Sequence, residues 1–65
     1  MNYKVIEHNG KYIITKGVLI KQYMTSEYDD KKHMYNWRRL GVIDKYEPRY
    51  FESEMTANDF IILVL

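Results

Sequence analysis

The sequence predicts a small α+β domain: an antiparallel sheet led by a tight hairpin, with one helix packed on one face. Three observations carry this reading. Asn9-Gly10 lies between two stretches of strand-like alternation. Residues 26–40 carry helix signals at both ends. The chain has 65 residues and no cysteine, so residues 1–65 form a single domain whose core is small and unstapled by disulfides. The expected order is β-β-β-α-β-β, with a small all-β barrel as the alternative.

The hairpin comes first. Asn-Gly is the preferred pair for a two-residue type I′ turn, because both central residues need positive φ. That turn pairs His8 with Lys11, Ile6 with Ile13, Val5 with Ile14 and Tyr3 with Lys16. Tyr3, Val5, Tyr12 and Ile14 then share the core face. Ile6 and Ile13 form a small apolar spot among polar residues on the other face. Gly17 breaks the pattern and reads as a second turn, leading into a third strand over Val18–Met24.

The stretch "TSEYDDKKHMYNWRRLG" follows. Thr25 or Ser26 suits a helix N-cap, and Glu27, Asp29 and Asp30 suit the first turn. Arg38 and Arg39 suit the last turn, and Gly41 suits the position just beyond it. These signals predict a helix over about 26–40. The barrel alternative instead takes 33–43 as a strand, because Tyr35, Trp37 and Arg39 alternate.

After Pro48, the alternation of Tyr50 and Phe51 with glutamates predicts a strand near 49–54. The run Phe60–Leu65 is short and rich in β-branched residues, which favours a buried strand. Thr56 with Asp59 resembles a capping box and supports a short helix there instead.

The net charge is +1, but its distribution says more. Residues 31–49 hold Lys31, Lys32, Arg38, Arg39, Lys45 and Arg49 against Asp44 and Glu47, a net of +4. Residues 50–65 hold Glu52, Glu54 and Asp59, a net of −3. A basic middle is compatible with a polyanionic partner, and also with an acidic tail folded back on it. The longest apolar run has six residues, against about 20 needed to span a bilayer. There is no basic-then-apolar leader at the start, so a cytoplasmic protein without a membrane segment is expected. The bias to Lys, Ile, Tyr and Asn is one that phage and mobile-element proteins share.

On a helix over 26–40, His33, Met34, Trp37 and Leu40 form one stripe, which packs on the sheet. Tyr28, Lys32, Tyr35 and Arg39 form the opposite stripe, flanked by Lys31 and Arg38. Tyrosine and arginine are enriched at the anchoring positions of protein interfaces. Flat rings interleaved with cations also suit single-stranded nucleic acid, with Lys45 and Arg49 extending the basic patch. The candidate partner-binding residues are therefore Tyr28, Lys31, Lys32, Tyr35, Arg38, Arg39, Lys45 and Arg49, together with a sheet edge.

Catalytic readings are weaker. Asp29, Asp30 and His33 do not make a metal site without a second ligand cluster. Nothing orients His8 as a base. Glu52, Glu54 and Asp59 read as a solvated edge that resists aggregation. A minimal ribonuclease using His8 or His33 is the enzyme alternative. No cofactor, catalytic or metal site is expected. The leading expectation is a non-enzymatic protein–protein interaction module, an accessory or inhibitor protein acting on a larger partner. A single-stranded nucleic-acid-binding domain is the runner-up, and the small core leaves homodimerisation open.

Overall fold

A computed structural model describes residues 2–65. The expected class holds, with the order β-β-β-β-α rather than β-β-β-α-β-β. Strands β1 (Tyr3–His8), β2 (Lys11–Lys16), β3 (Gln22–Asp29) and β4 (Met34–Arg39) form one antiparallel sheet in sequential order. A short 3-10 turn, Leu40–Val42, follows β4, and helix α1 (Glu54–Leu63) closes the chain.

The first hairpin forms in the expected register, from Tyr3 opposite Lys16 to His8 opposite Lys11. Asn9 at φ 52° and Gly10 at φ 78° provide the two positive angles that a type I′ turn requires. Ile14 is fully buried, with Tyr3, Val5 and Tyr12 packed around it. The opposite face differs from the mostly polar surface expected: Ile13 and Tyr23 are fully buried there, and the Tyr23 phenol reaches the Val42 and Tyr46 carbonyls of a segment that crosses beneath it.

The helix expected over 26–40 is instead the β3–β4 hairpin. The Asp29 carboxylate accepts from the backbone N–H groups of Lys31 and Lys32 at 2.9 and 3.2 Å, and His33 adopts φ 56°. The acid that would have favoured a helix start therefore shapes a turn. Magnitudes explain the outcome. A charge on a helix dipole contributes about 0.3–1 kcal/mol. Each large side chain buried contributes about 1.5–3 kcal/mol, and pairing as strands inters Tyr23 and Met24 while half-burying Tyr35 and Trp37. The barrel alternative was closer here, since Met34–Arg39 is a strand, although the sheet stays open.

The third strand starts at Gln22, not Val18; Val18, Leu19 and Ile20 form an exposed loop. No continuous strand forms over 49–54. β2 and β3 pair only at Thr15–Tyr23 and Lys16–Gln22 and then diverge. The segment 48–51 enters the gap, bridging Thr25 to Pro48 and Tyr12 to Phe51. Its backbone bonds run to both neighbours: Arg49 N–H to Met24 O at 3.0 Å, and Phe51 N–H to Tyr12 O at 2.8 Å. A bulge between Met24 and Tyr28 accommodates this insertion. Within it, the Thr25 hydroxyl donates to Asn36 O at 2.8 Å.

The terminal segment is a helix, not the strand that β-branched content favoured. Ser53 is the N-cap: its Oγ accepts from the Thr56 N–H at 3.1 Å. The capping signal therefore lies three residues earlier than Thr56–Asp59. A cap contributes about 1 kcal/mol. Phe60 and Ile61 pack onto the core beside buried Ala57, which outweighs the modest helix penalty of β-branched residues.

Candidate functional site

The sheet hairpin disperses the aromatic–basic stripe that a helix would have assembled. Tyr28 and Tyr35 remain together, directly paired across β3 and β4 with ring centroids 5.1 Å apart, edge to face. Tyr35 is also 5.9 Å from the Phe60 ring, so it belongs to the packing between sheet and helix. Arg39 shares the side of the sheet that carries Tyr35 and Trp37, by alternation along β4. Lys31 and Lys32 lie in the β3–β4 turn, and Lys45 lies in the crossing segment, all exposed.

Two of the expected surface cations have structural positions. Arg38 projects to the opposite face, with its guanidinium 4.0 Å from the Tyr46 ring centroid and 3.9 Å from a Glu27 carboxylate oxygen. Beside it, burial pushes the Tyr23 phenol above its ordinary value, against the pull of the Arg38 charge. Arg49 lies against three rings, its guanidinium carbon 5.3 Å from Tyr35, 5.6 Å from Phe51 and 5.8 Å from Phe60. Its Nε is buried and donates to no acceptor among the described residues. The electron-rich ring faces offset part of that cost. Both guanidinium groups are thus engaged with aromatic rings of the protein itself.

Two clefts stand out among the described residues. One, of about 320 Å³, lies between β4 and the end of α1. Tyr3, Tyr35 and Trp37 form its floor, and Tyr28, Met34, Val64 and Leu65 rim it with Lys16 and His33. Tyr3 and Trp37 stack with centroids 5.8 Å apart, and the Lys16 ammonium sits 4.2 Å over the Trp37 ring. The four apolar rim residues are all exposed, Tyr28 and Met34 by half their surface. The other, of about 380 Å³, lies at the base of the β2–β3 loop.

A helix over 26–40 would place Met34 and Trp37 in the core, and a buried terminal strand would cover Val64 and Leu65; in the β3–β4 hairpin and at the end of α1 they border the cleft instead. The readable signal for the cleft was the alternation Tyr35–Trp37–Arg39, which belongs to a strand. The aliphatic run Val18–Ile20 after Gly17 reads as a strand start in sequence, yet it forms an exposed loop.

His8 stacks on Tyr50, with centroids 6.4 Å apart and, among the described residues, no carboxylate paired with it. Glu52 pairs with Lys11 at 3.2 Å on the surface. Among the described residues, no three His, Cys, Asp or Glu side chains converge to hold a metal. Among them, too, no helix is long and apolar enough to cross a membrane. Comparison with protein-family models, with curated proteins and with solved structures gives no match.

Proposed function

We propose that this protein is a non-enzymatic protein–protein interaction module whose partner covers the aromatic cleft between β4 and α1. One observation carries the reading: Tyr28, Met34, Val64 and Leu65, all exposed, surround a floor of Tyr3, Tyr35 and Trp37. Scattered exposed apolar residues are ordinary, but a contiguous rim around aromatic walls is the composition of an interface centre. Trp and Tyr are the side chains that most often anchor such contacts. The total surface agrees with this. The chain exposes 4976 Å² at 8.0 kDa, where a folded monomer of that mass exposes about 4,450 Å². A module of this size acts by occupying a surface, as an accessory or inhibitor of a larger partner.

The single-stranded nucleic-acid reading drew on the helical stripe. The β3–β4 hairpin disperses that stripe, and Arg38 and Arg49, which would have extended it, lie on the protein's own rings.

The experiment compares capture by the immobilised wild-type protein and by a Met34→Asp/Val64→Asp variant of equal thermal stability, from a lysate of the source cells. A stoichiometric partner retained by the wild type and lost by the variant supports the reading. A partner retained equally by both sinks it, because the cleft is then not the contact.

A further inference from the structure

The β2–β3 loop presents three consecutive aliphatic side chains to solvent. Val18 is 85% exposed, Leu19 97% and Ile20 56%. The loop is built rather than slack. Gly17 at φ 105° turns the chain so tightly that a Cβ there would overlap the Ile20 carbonyl oxygen. Lys21 O then accepts from the Leu40 N–H at 2.9 Å, fixing the far side.

The register sets what surrounds the loop. Tyr3 lies opposite Lys16, Lys16 opposite Gln22, and Gln22 opposite Arg39. One end of the sheet therefore carries a cation at or beside each strand terminus: Lys4, Lys16, Lys21 and Arg39. The ion pairs among the described residues are Lys11–Glu52 and Arg38–Glu27, so none of these four has a carboxylate partner. Lys16 leans over Trp37, and the other three are exposed. No residue lining the cleft at the loop base is acidic; Lys4, Lys16 and Lys21 line it with Asn2 and Thr15.

We propose that this end of the sheet docks on an anionic lipid surface, with Val18, Leu19 and Ile20 entering the interfacial layer and Lys4, Lys21 and Arg39 meeting the headgroups. An apolar tip above a cationic collar combines the two signals that peripheral membrane attachment requires. Charge separates this occupant from a second copy of the chain. A two-fold contact through the loop would bring two uncompensated cationic collars face to face, whereas an anionic surface neutralises them. The tip also lacks the aromatic and arginine anchors of a protein hot spot. The cleft between β4 and α1 shares only Lys16 with this surface, and Lys16 is not among the residues assigned to the headgroups, so this proposal does not rest on the partner assigned to that cleft.

The test is flotation with phosphatidylcholine vesicles with and without about a third phosphatidylserine, at low and physiological salt. The wild type is expected to float with the anionic vesicles and to dissociate as salt rises. Each basic residue near such a surface contributes about fivefold in partitioning, so Lys21→Glu should lower it at least that much. Leu19→Asp, at a site too exposed to affect folding, should lower it about tenfold or more. The chain has no cysteine, so Val18→Cys gives a unique attachment point for an environment-sensitive dye. Its emission should shift to the blue on anionic vesicles, while the same dye at Lys32→Cys, in the turn at the other end of the sheet, should not respond. Absence of flotation at low salt overturns the proposal, as does flotation indifferent to Leu19→Asp. Concentration-dependent dimerisation abolished by Leu19→Asp, without vesicle binding, overturns it in favour of a second copy.

Discussion

The phenol of Tyr23 donates to the carbonyl of Tyr46 at 2.6 Å, tying the middle of the sheet to the segment that crosses beneath it. Tyr23 has no exposed surface, and the Val42 carbonyl lies 3.3 Å from the same oxygen. Tyr23→Phe keeps the ring and removes the donor, leaving the Tyr46 carbonyl without this partner, while the Val42 carbonyl keeps the backbone N–H groups of Lys45 and Tyr46. The expected cost is about 1–3 kcal/mol, read as a lower urea midpoint at unchanged slope. A midpoint equal to wild type would mean that water replaces the phenol freely and that the crossing segment is held by other contacts.

The same phenol sets an alkaline limit on stability. Burial holds its proton more tightly in the folded chain than at the ordinary value of 10.0. A raised pKa contributes stability in full below the unfolded value and loses it as pH climbs through the folded one. Urea midpoints should therefore fall as pH rises above about 10. The other tyrosines ionise in the same range, so the informative quantity is the difference between wild type and Tyr23→Phe, which should shrink with increasing pH. A difference that stays constant to pH 11.5 would remove the linkage.

Arg49 tests whether the core uses a charge or only a shape. Its guanidinium lies against Tyr35, Phe51 and Phe60, and its Nε has no acceptor among the described residues. Arg49→Ala removes the stem that packs there and should cost about 2 kcal/mol or more. Arg49→Met keeps a flexible stem and relieves the unpaired donor, so it should stay within about 1 kcal/mol of wild type. If thermal unfolding instead shows Arg49→Met as damaging as Arg49→Ala, the cation over the rings carries the stabilisation.

These residues also show what could be read from the sequence and what could not. The Asn9-Gly10 hairpin was legible to its register, because two adjacent residues determine a two-residue turn and alternation determines the faces. The β3–β4 hairpin was not, because Glu27, Asp29 and Asp30 satisfy a helix start and a turn equally well. The choice between them is made by Tyr23 and Met24 meeting partners more than ten residues away. Arg49 counted as surface charge for the same reason: its rings come from β4, from Phe51 in the 48–51 segment, and from α1. Tyr28 and Tyr35 survived as neighbours through a coincidence of spacing, being seven apart on a helix and opposite one another in the β3–β4 hairpin.

Gly17 is the position where one methyl group should have the largest effect. Its φ of 105° lies in the region that L side chains avoid, and the new Cβ would meet the Ile20 carbonyl. Backbone strain of this kind costs about 1–3 kcal/mol before the overlap is counted. The overlap cannot be relieved by a side chain turning aside, because the obstacle is main chain. Gly17→Ala should therefore open the loop or weaken the β2–β3 contact, which rests on only Thr15–Tyr23 and Lys16–Gln22. The expected outcome is a loss of about 2 kcal/mol or more, with amide shifts concentrated between residues 15 and 23 and the Asn9-Gly10 turn unmoved. Gly10 offers the matched comparison: it also has positive φ, but a Cβ there meets nothing within 4 Å, so Gly10→Ala carries the strain without the overlap and should cost less. Equal losses at the two sites would show that the Ile20 carbonyl yields, and that the aliphatic loop is held less firmly than its geometry implies.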